Sequence, residues 1–124
     1  MADKRLKLVS NAPIYKDVRS LLNEILEVTP EFPRQYKYTI GGEMQKLAVS
    51  LLSGAAAAYM DKANRLAHLS KFRYEFETLR TLVRIAGEKR WIKGIARHAQ
   101  IIELMDAIGK QSTAWKNSIS FDSE

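Results

Sequence analysis

Between Leu69 and Ala86 the chain reads LSKFRYEFETLRTLVRIA. Leu69, Phe72, Phe76, Leu79, Val83 and Ala86 recur at helical spacing and fall on one stripe. A strand would scatter the same residues over both faces, so this stretch commits the fold to an amphipathic helix. Arg73, Arg80 and Arg84 keep the same period along one border of the stripe, with Glu77 in reach of Arg73 or Arg80. Tyr74, Leu82 and Ile85 point away from it. Entering a single core takes one apolar face. A core face, a basic margin and a second apolar face describe a bundle helix that also meets a partner.

The rest of the chain reads in the same period. Asn11 and Pro13 make a helix-start signal, a capping side chain followed by a ring that presets the backbone. Ile14, Val18, Leu21, Ile25 and Val28 then line one face of a first helix, with Leu22 and Leu26 on its flank. Pro30 and Pro33 end it, because proline cannot continue the hydrogen-bond ladder. A long second helix is expected over 34–62, with Tyr36, Ile40, Met44, Leu47, Leu51, Ala55 and Ala58 on one face. Gly41 and Gly42 interrupt it and cost roughly 1 kcal/mol each in helix propensity. They read as a bend or a close-approach point. A phosphate loop is not indicated, since no strand precedes them and no GxxxxGK surrounds them. The third helix spans 65–86. The glycine-bracketed GEKRWIKG of residues 87–94 breaks the chain again, and a fourth helix follows over 95–117. Its inward arc is His98, Ile101, Ile102, Met105, Ile108, Gly109 and Ser112.

Four amphipathic helices, short connections and no alternating strand pattern predict an all-α antiparallel up-down-up-down four-helix bundle. Its 124 residues suffice for one domain with its own core. The expected domain covers 1–124, with a loose arm over about 1–11 and a fraying tail over about 118–124. There are no cysteines, which excludes disulfides and thiolate metal sites. No apolar run reaches the length of a membrane span, and LKLV near the N-terminus is too short for a signal-peptide core. A cytoplasmic protein without membrane partners is the expectation.

A net charge of +6 favours association with nucleic acid or another acidic surface. The cations concentrate between the third helix and the start of the fourth. Arg73, Arg80, Arg84, Lys89, Arg90, Lys93 and Arg97 are the candidate binding residues, with Lys71 nearby and Glu75, Glu77 and Glu88 opposing them. Cations at repeated spacing can track a phosphate backbone, and arginine adds a planar fork. Tyr59, Tyr74 and Trp91 could stack on bases from the surface. The alternative is a solvated helix face with ordinary i,i+4 pairs. No base-reading motif is present, so binding would be largely independent of sequence.

Nothing in the chain points to catalysis or a cofactor. His68 and His98 lack the companion spacing of a metal site. An RNase reading built on Arg97 and His98 fits poorly, because adjacent helical residues diverge by about 100°. No carboxylate pair reads as an acid–base couple. Met105 and Trp115 read as core.

Several short stretches together resemble a known family. They are Pro13-Ile14-Tyr15, Phe32-Pro33 followed by Tyr36 and Tyr38-Thr39-Ile40-Gly41, Leu79-Arg80 with Leu82-Val83-Arg84-Ile85-Ala86, and Ile108-Gly109-Lys110-Gln111 with Trp115. In this order they resemble the four-helix-bundle family of the accessory variability determinant of diversity-generating retroelements. That family also contains proteins encoded in intervening sequences of bacterial ribosomal RNA genes. The likeness spans about residues 13–117. It implies a homopentameric barrel of bundles without a catalytic centre. It also implies binding of the retroelement's reverse transcriptase and of RNA or DNA, in support of mutagenic cDNA synthesis and retrohoming. Arg80 and Arg84 match the family's basic third-helix positions, and Arg73 extends the row by its spacing in this chain. The alternative within the family is an interaction or scaffold protein of the intervening-sequence type, with no polymerase partner. The doubling of the glycine at Gly41-Gly42 and the basic, tryptophan-containing connection GEKRWIKG depart from the resemblance.

Overall fold

The computed structural model describes residues 9–122. Among them the chain forms no strand, and from Pro13 on it forms five helices: α1 Pro13–Val28, α2 Arg34–Lys37, α3 Ile40–Met60, α4 Arg65–Glu88 and α5 Ile95–Asp122. Single 3-10 turns at Thr29–Glu31 and Lys62–Asn64 fill two of the connections. The four long helices close a ring in chain order. Helix α1 packs on α3 and α5, α4 packs on α3 and α5, and α1 and α4 face each other only across the diagonal. This is the expected up-down-up-down bundle.

The apolar stripes explain why. Ile14, Val18, Leu21, Ile25 and Val28 of α1 are all buried, as are Leu69, Phe72, Phe76, Leu79, Val83 and Ala86 of α4. All of these except Leu69 join Met44, Leu47, Ala48, Leu51 and Ala55 of α3 and Ile101, Met105 and Ile108 of α5 in one cluster. Each large aliphatic or aromatic side chain so buried contributes about 1.5–3 kcal/mol. The small residues of α3 let α4 approach closely, with the Phe72 ring 3.5 Å from where a Gly54 Cβ would lie.

Several boundaries depart from the sequence expectation. Val9–Asn11 are already helical, and Val9 is buried, so the expected loose arm is ordered from Val9 on; residues 1–8 lie outside the described residues. Ala12 occupies the N-cap of α1 with no side-chain bond, and Pro13 alone carries the start signal. Asn11 does not cap. At the other terminus α5 runs on to Asp122 through the tail expected to fray. Of that tail, residues 123–124 lie outside the described residues.

The expected long second helix is two. Tyr38 and Thr39 turn between α2 and α3. The Thr39 hydroxyl donates back to the Gln35 carbonyl at 3.4 Å, a side-chain bond that competes with the helical ladder and bends it. Past the turn, Gly41 is buried, and a Cβ there would meet Thr29 at 3.4 Å and Phe32 at 3.6 Å. The glycine pair therefore marks a close approach at Gly41, while a Cβ at Gly42 would face open space.

Helix α4 also runs through the expected break at Gly87. It stops in a Schellman arrangement, with Trp91 N–H donating to the Ala86 carbonyl at 2.9 Å and Arg90 N–H to the Gly87 carbonyl at 3.0 Å. Arg90 takes the left-handed position with φ 62°. The α1–α3 connection and the α4–α5 connection thus sit at one end of the bundle, and aromatic rings join them. Trp91 stacks on Tyr36 at 4.6 Å and tilts against Phe32 at 5.4 Å, centroid to centroid. At the opposite end Arg65 closes α3. Its Nε donates to the Ala58 carbonyl at 2.6 Å, Nη2 to the Tyr59 carbonyl at 3.0 Å, and its guanidinium lies 5.7 Å from the Trp115 ring. These bonds satisfy carbonyls that a helix end leaves without partners.

Candidate nucleic-acid interface

The arginine row of α4 borders the seam with α5. Spacings of seven and four residues keep Arg73, Arg80 and Arg84 within about 40° on the helix and over about 16 Å of its length. Facing them across the antiparallel seam are Thr113 and Asp106. Arg73 Nη1 donates to Thr113 Oγ1 at 2.6 Å. Arg80 lies 3.9 Å from Glu77 and 3.5 Å from Asp106. Between the two helices runs a groove of 530 Å³, lined among others by Arg73, Arg80, Asp106, Lys110 and Thr113. Lys110 was not among the sequence candidates. The signal for it is its place one turn after Asp106, on the α5 face that meets the arginine row.

The candidate cations do not form one surface. Arg73 and Arg80 are half-buried and engaged in the groove, Arg80 keeping 37% side-chain exposure. Arg84, one turn further on, is exposed and has no ion pair among the described residues. Lys89, Arg90 and Lys93 are exposed on the connection at the bundle end. Arg97 turns the other way. Nine residues before Asp106 it occupies the opposite side of α5, where Nε lies 3.6 Å from Glu24 of α1. It is brought to a different face from the arginines of α4. The exposed contacts of Arg80 with Glu77 and Asp106 are worth about 0–1 kcal/mol and can be exchanged for a phosphate partner.

The aromatic expectations divide in a similar way. Tyr74 is 80% exposed on the outer face of α4. Trp91 is not available to bases, because its ring is taken up by Tyr36 and Phe32. Tyr59 is half-buried. Leu82 is half-buried and packs against the core, so the second apolar face of α4 reduces to Tyr74 and Ile85. On α5, Ile102 is exposed and not part of the inward arc, whereas Ile101, Met105, Ile108 and Ser112 are buried as expected. The arc turns by a full residue between 101 and 102, which puts Ile102 beyond the stripe's edge.

The two histidines go to different tasks. His98 packs against Gly87 so tightly that a Cβ there would lie 2.5 Å from the ring. Its Nε2 is buried with no hydrogen-bond partner among the described residues. Arg97 and His98 diverge onto Glu24 and Gly87. His68, unassigned by the sequence, lies 3.0 Å from Asp61 at the α3–α4 turn. Asp61 also accepts from the Asn64 backbone at 3.4 Å and its side chain at 3.1 Å. The His68 bond, followed by the Asn64 side-chain bond, lowers the Asp61 pKa below its ordinary 3.8. Among the described residues no group of three or more His, Cys, Asp or Glu could hold a metal ion.

A helical bundle with arginines along one seam and further cations at one end defines a basic, all-helical class of protein. A family model described as bAvd-like matches residues 9–119. The chain belongs to the bAvd-like family, and the resemblance read from its short motifs is to that family. No curated protein matches the chain. No helix among the described residues is long and apolar enough to cross a membrane.

Proposed function

We propose that this protein is the accessory subunit of a diversity-generating retroelement. It binds the element's reverse transcriptase and its RNA or DNA, and performs no catalysis itself. The family match over residues 9–119 carries this reading. The cation row supports it. Arg84 and the connection cations are open to a phosphate backbone, and Arg73 and Arg80 can exchange weak local partners for one. The binding is independent of base sequence, needs no cofactor, and takes place in the cytoplasm beside the polymerase.

A homopentamer completes the proposal. Tyr74 and Ile85 leave apolar surface on the outer face of α4, and a closed ring buries such a face on every copy. The ring also multiplies a modest charge into avidity. Light scattering at micromolar concentration reports this directly, and a monomer mass overturns the ring.

The test of the function is co-purification with the reverse transcriptase from the same locus, with wild-type protein and with Arg80→Ala/Arg84→Ala. The double variant is expected to keep its helicity and lose most of the association. Loss of two phosphate contacts also reduces the salt slope of single-strand binding by about 1.4. An unchanged slope removes these arginines from the interface.

A further inference from the structure

We propose a nucleotide-binding slot at the bundle end, in which the base of one nucleotide of a single strand stacks on Tyr38 beside Gly42. It rests on the nucleic-acid-binding reading above and names a subsite that the arginine row does not contain. The slot has a volume of 220 Å³ and is lined by Thr29, Pro30, Lys37, Tyr38, Gly42 and Gln45. That is below the roughly 300–1,000 Å³ of pockets for drug-sized molecules and suits one planar ring.

Four observations converge on it. Tyr38 is 81% exposed, more than any other aromatic side chain of the described bundle, and an exposed ring beside cations is the platform on which single strands stack. Lys37 Nζ stands 6.0 Å from the centre of that ring, placed for the phosphate attached to a stacked base. The Gln45 carboxamide is oriented. Thr29 Oγ1 donates to the Ile25 carbonyl at 2.8 Å, so it accepts from Gln45 Nε2 at 2.7 Å. The remaining amide oxygen has no partner among the described residues and can accept from an N–H on a base edge.

Gly42 supplies the fourth. A glycine inside a helix costs about 1 kcal/mol relative to alanine, and here the fold gives no return, since a Cβ would meet nothing within 4 Å. A glycine unneeded for packing or for a positive φ, on the wall of a slot, fits the close approach of a ligand to backbone. The strand's continuation is provided for as well. The Trp91–Tyr36 stack brings the connection carrying Lys89, Arg90 and Lys93 to the same end as Arg34 and Lys37. Glu31, Glu43 and Glu88 oppose these cations and are fewer.

The experiment titrates the intact protein with fluorescein-labelled U12 and with an abasic strand of equal length, by anisotropy. A parallel arm adds uridine and adenosine monophosphates at millimolar concentration and follows the Gly42 amide by NMR. The slot predicts that the abasic strand binds about tenfold more weakly than U12. Tyr38→Ala and Gly42→Leu are each expected to bring U12 down to the abasic level, and Tyr38→Phe to retain binding. Gly42→Leu favours the helix, so its circular dichroism stays native. Equal binding of the abasic strand, or full affinity in Gly42→Leu, overturns the slot. Loss of U12 binding in Arg80→Ala/Arg84→Ala alone leaves the arginine reading standing and the slot refuted. A Gly42 shift with monophosphates in the absence of strand binding gives the converse. No binding in either arm refutes both.

Discussion

Trp91 lies face to face with Tyr36, the ring centres 4.6 Å apart and the planes 23° from parallel. One ring belongs to the α4–α5 connection and the other to the short helix between α1 and α3, so two segments distant in sequence are packed together. That stack turns a loop of lysines and arginines into a shaped end of the bundle, and it withdraws the tryptophan from any role in holding bases.

Asp106 restrains the arginine row. Asp106→Asn keeps the shape of the side chain and removes the charge 3.5 Å from Arg80. Strand affinity is expected to rise severalfold, with a steeper salt dependence, because one more guanidinium is free to neutralise phosphate. Stability is expected to change by less than about 1 kcal/mol, the range for exposed pairs. Anisotropy titrations from low to moderate salt and urea unfolding check both.

Gly87 and His98 form a lock. A Gly87→Ala methyl group would lie 2.5 Å from the imidazole, so the helices must part or the ring must move. Overpacking of this kind costs about 1–3 kcal/mol, against a gain in helix propensity below about 1 kcal/mol. His98→Ala in the same chain opens the space and recovers the loss. A double-mutant cycle from urea midpoints is expected to give a coupling well above about 0.5 kcal/mol.

Arg90 holds a left-handed backbone that costs an L-residue about 1–2 kcal/mol. Arg90→Gly relieves it and is expected to raise the unfolding free energy by about 1 kcal/mol while lowering affinity for single strands. Thermal unfolding and anisotropy on the same sample separate the two effects. The natural residue keeps a cation where the backbone alone would favour glycine.

Acid stability has a specific contributor at the α3–α4 turn. Hydrogen bonds from His68 and Asn64 lower the Asp61 pKa from its ordinary 3.8. A carboxylate with a depressed folded pKa contributes stability above its unfolded pKa and loses it as pH falls through the folded value. The wild-type protein is therefore expected to lose more stability than Asp61→Asn as pH falls from 3.8 downward. Urea midpoints at pH 5 and pH 3 test this, and parallel curves refute it.

Much of this architecture is legible in the sequence because burial in a bundle follows helical spacing. Every apolar position assigned to the core face of α1 and of α4 is buried. What was not legible depends on partners remote in sequence. The bend read at Gly41-Gly42 falls slightly earlier, at Tyr38 and Thr39, because Gly41 itself packs in helical form against Thr29 and Phe32. Gly87 reads as a helix breaker but is a spacer for His98, and Trp91 reads as exposed until Tyr36 is placed on it. Among the candidate cations, helical spacing puts Arg73, Arg80 and Arg84 along one border of α4. It could not show that Arg97, close to them in number, turns toward Glu24 on another face, because the intervening connection resets the helical phase.

The contact between Gly87 and His98 carries a consequence for the family's history. With the imidazole 2.5 Å from where an added carbon would lie, the glycine is not free to drift while the histidine stays. A lineage that enlarges the first must already have trimmed the second, so relatives are expected to exchange bulk between these two sites in concert. An aligned set in which alanine at the first persists opposite histidine at the second would mean that other helical bundles of this kind have spread that seam apart.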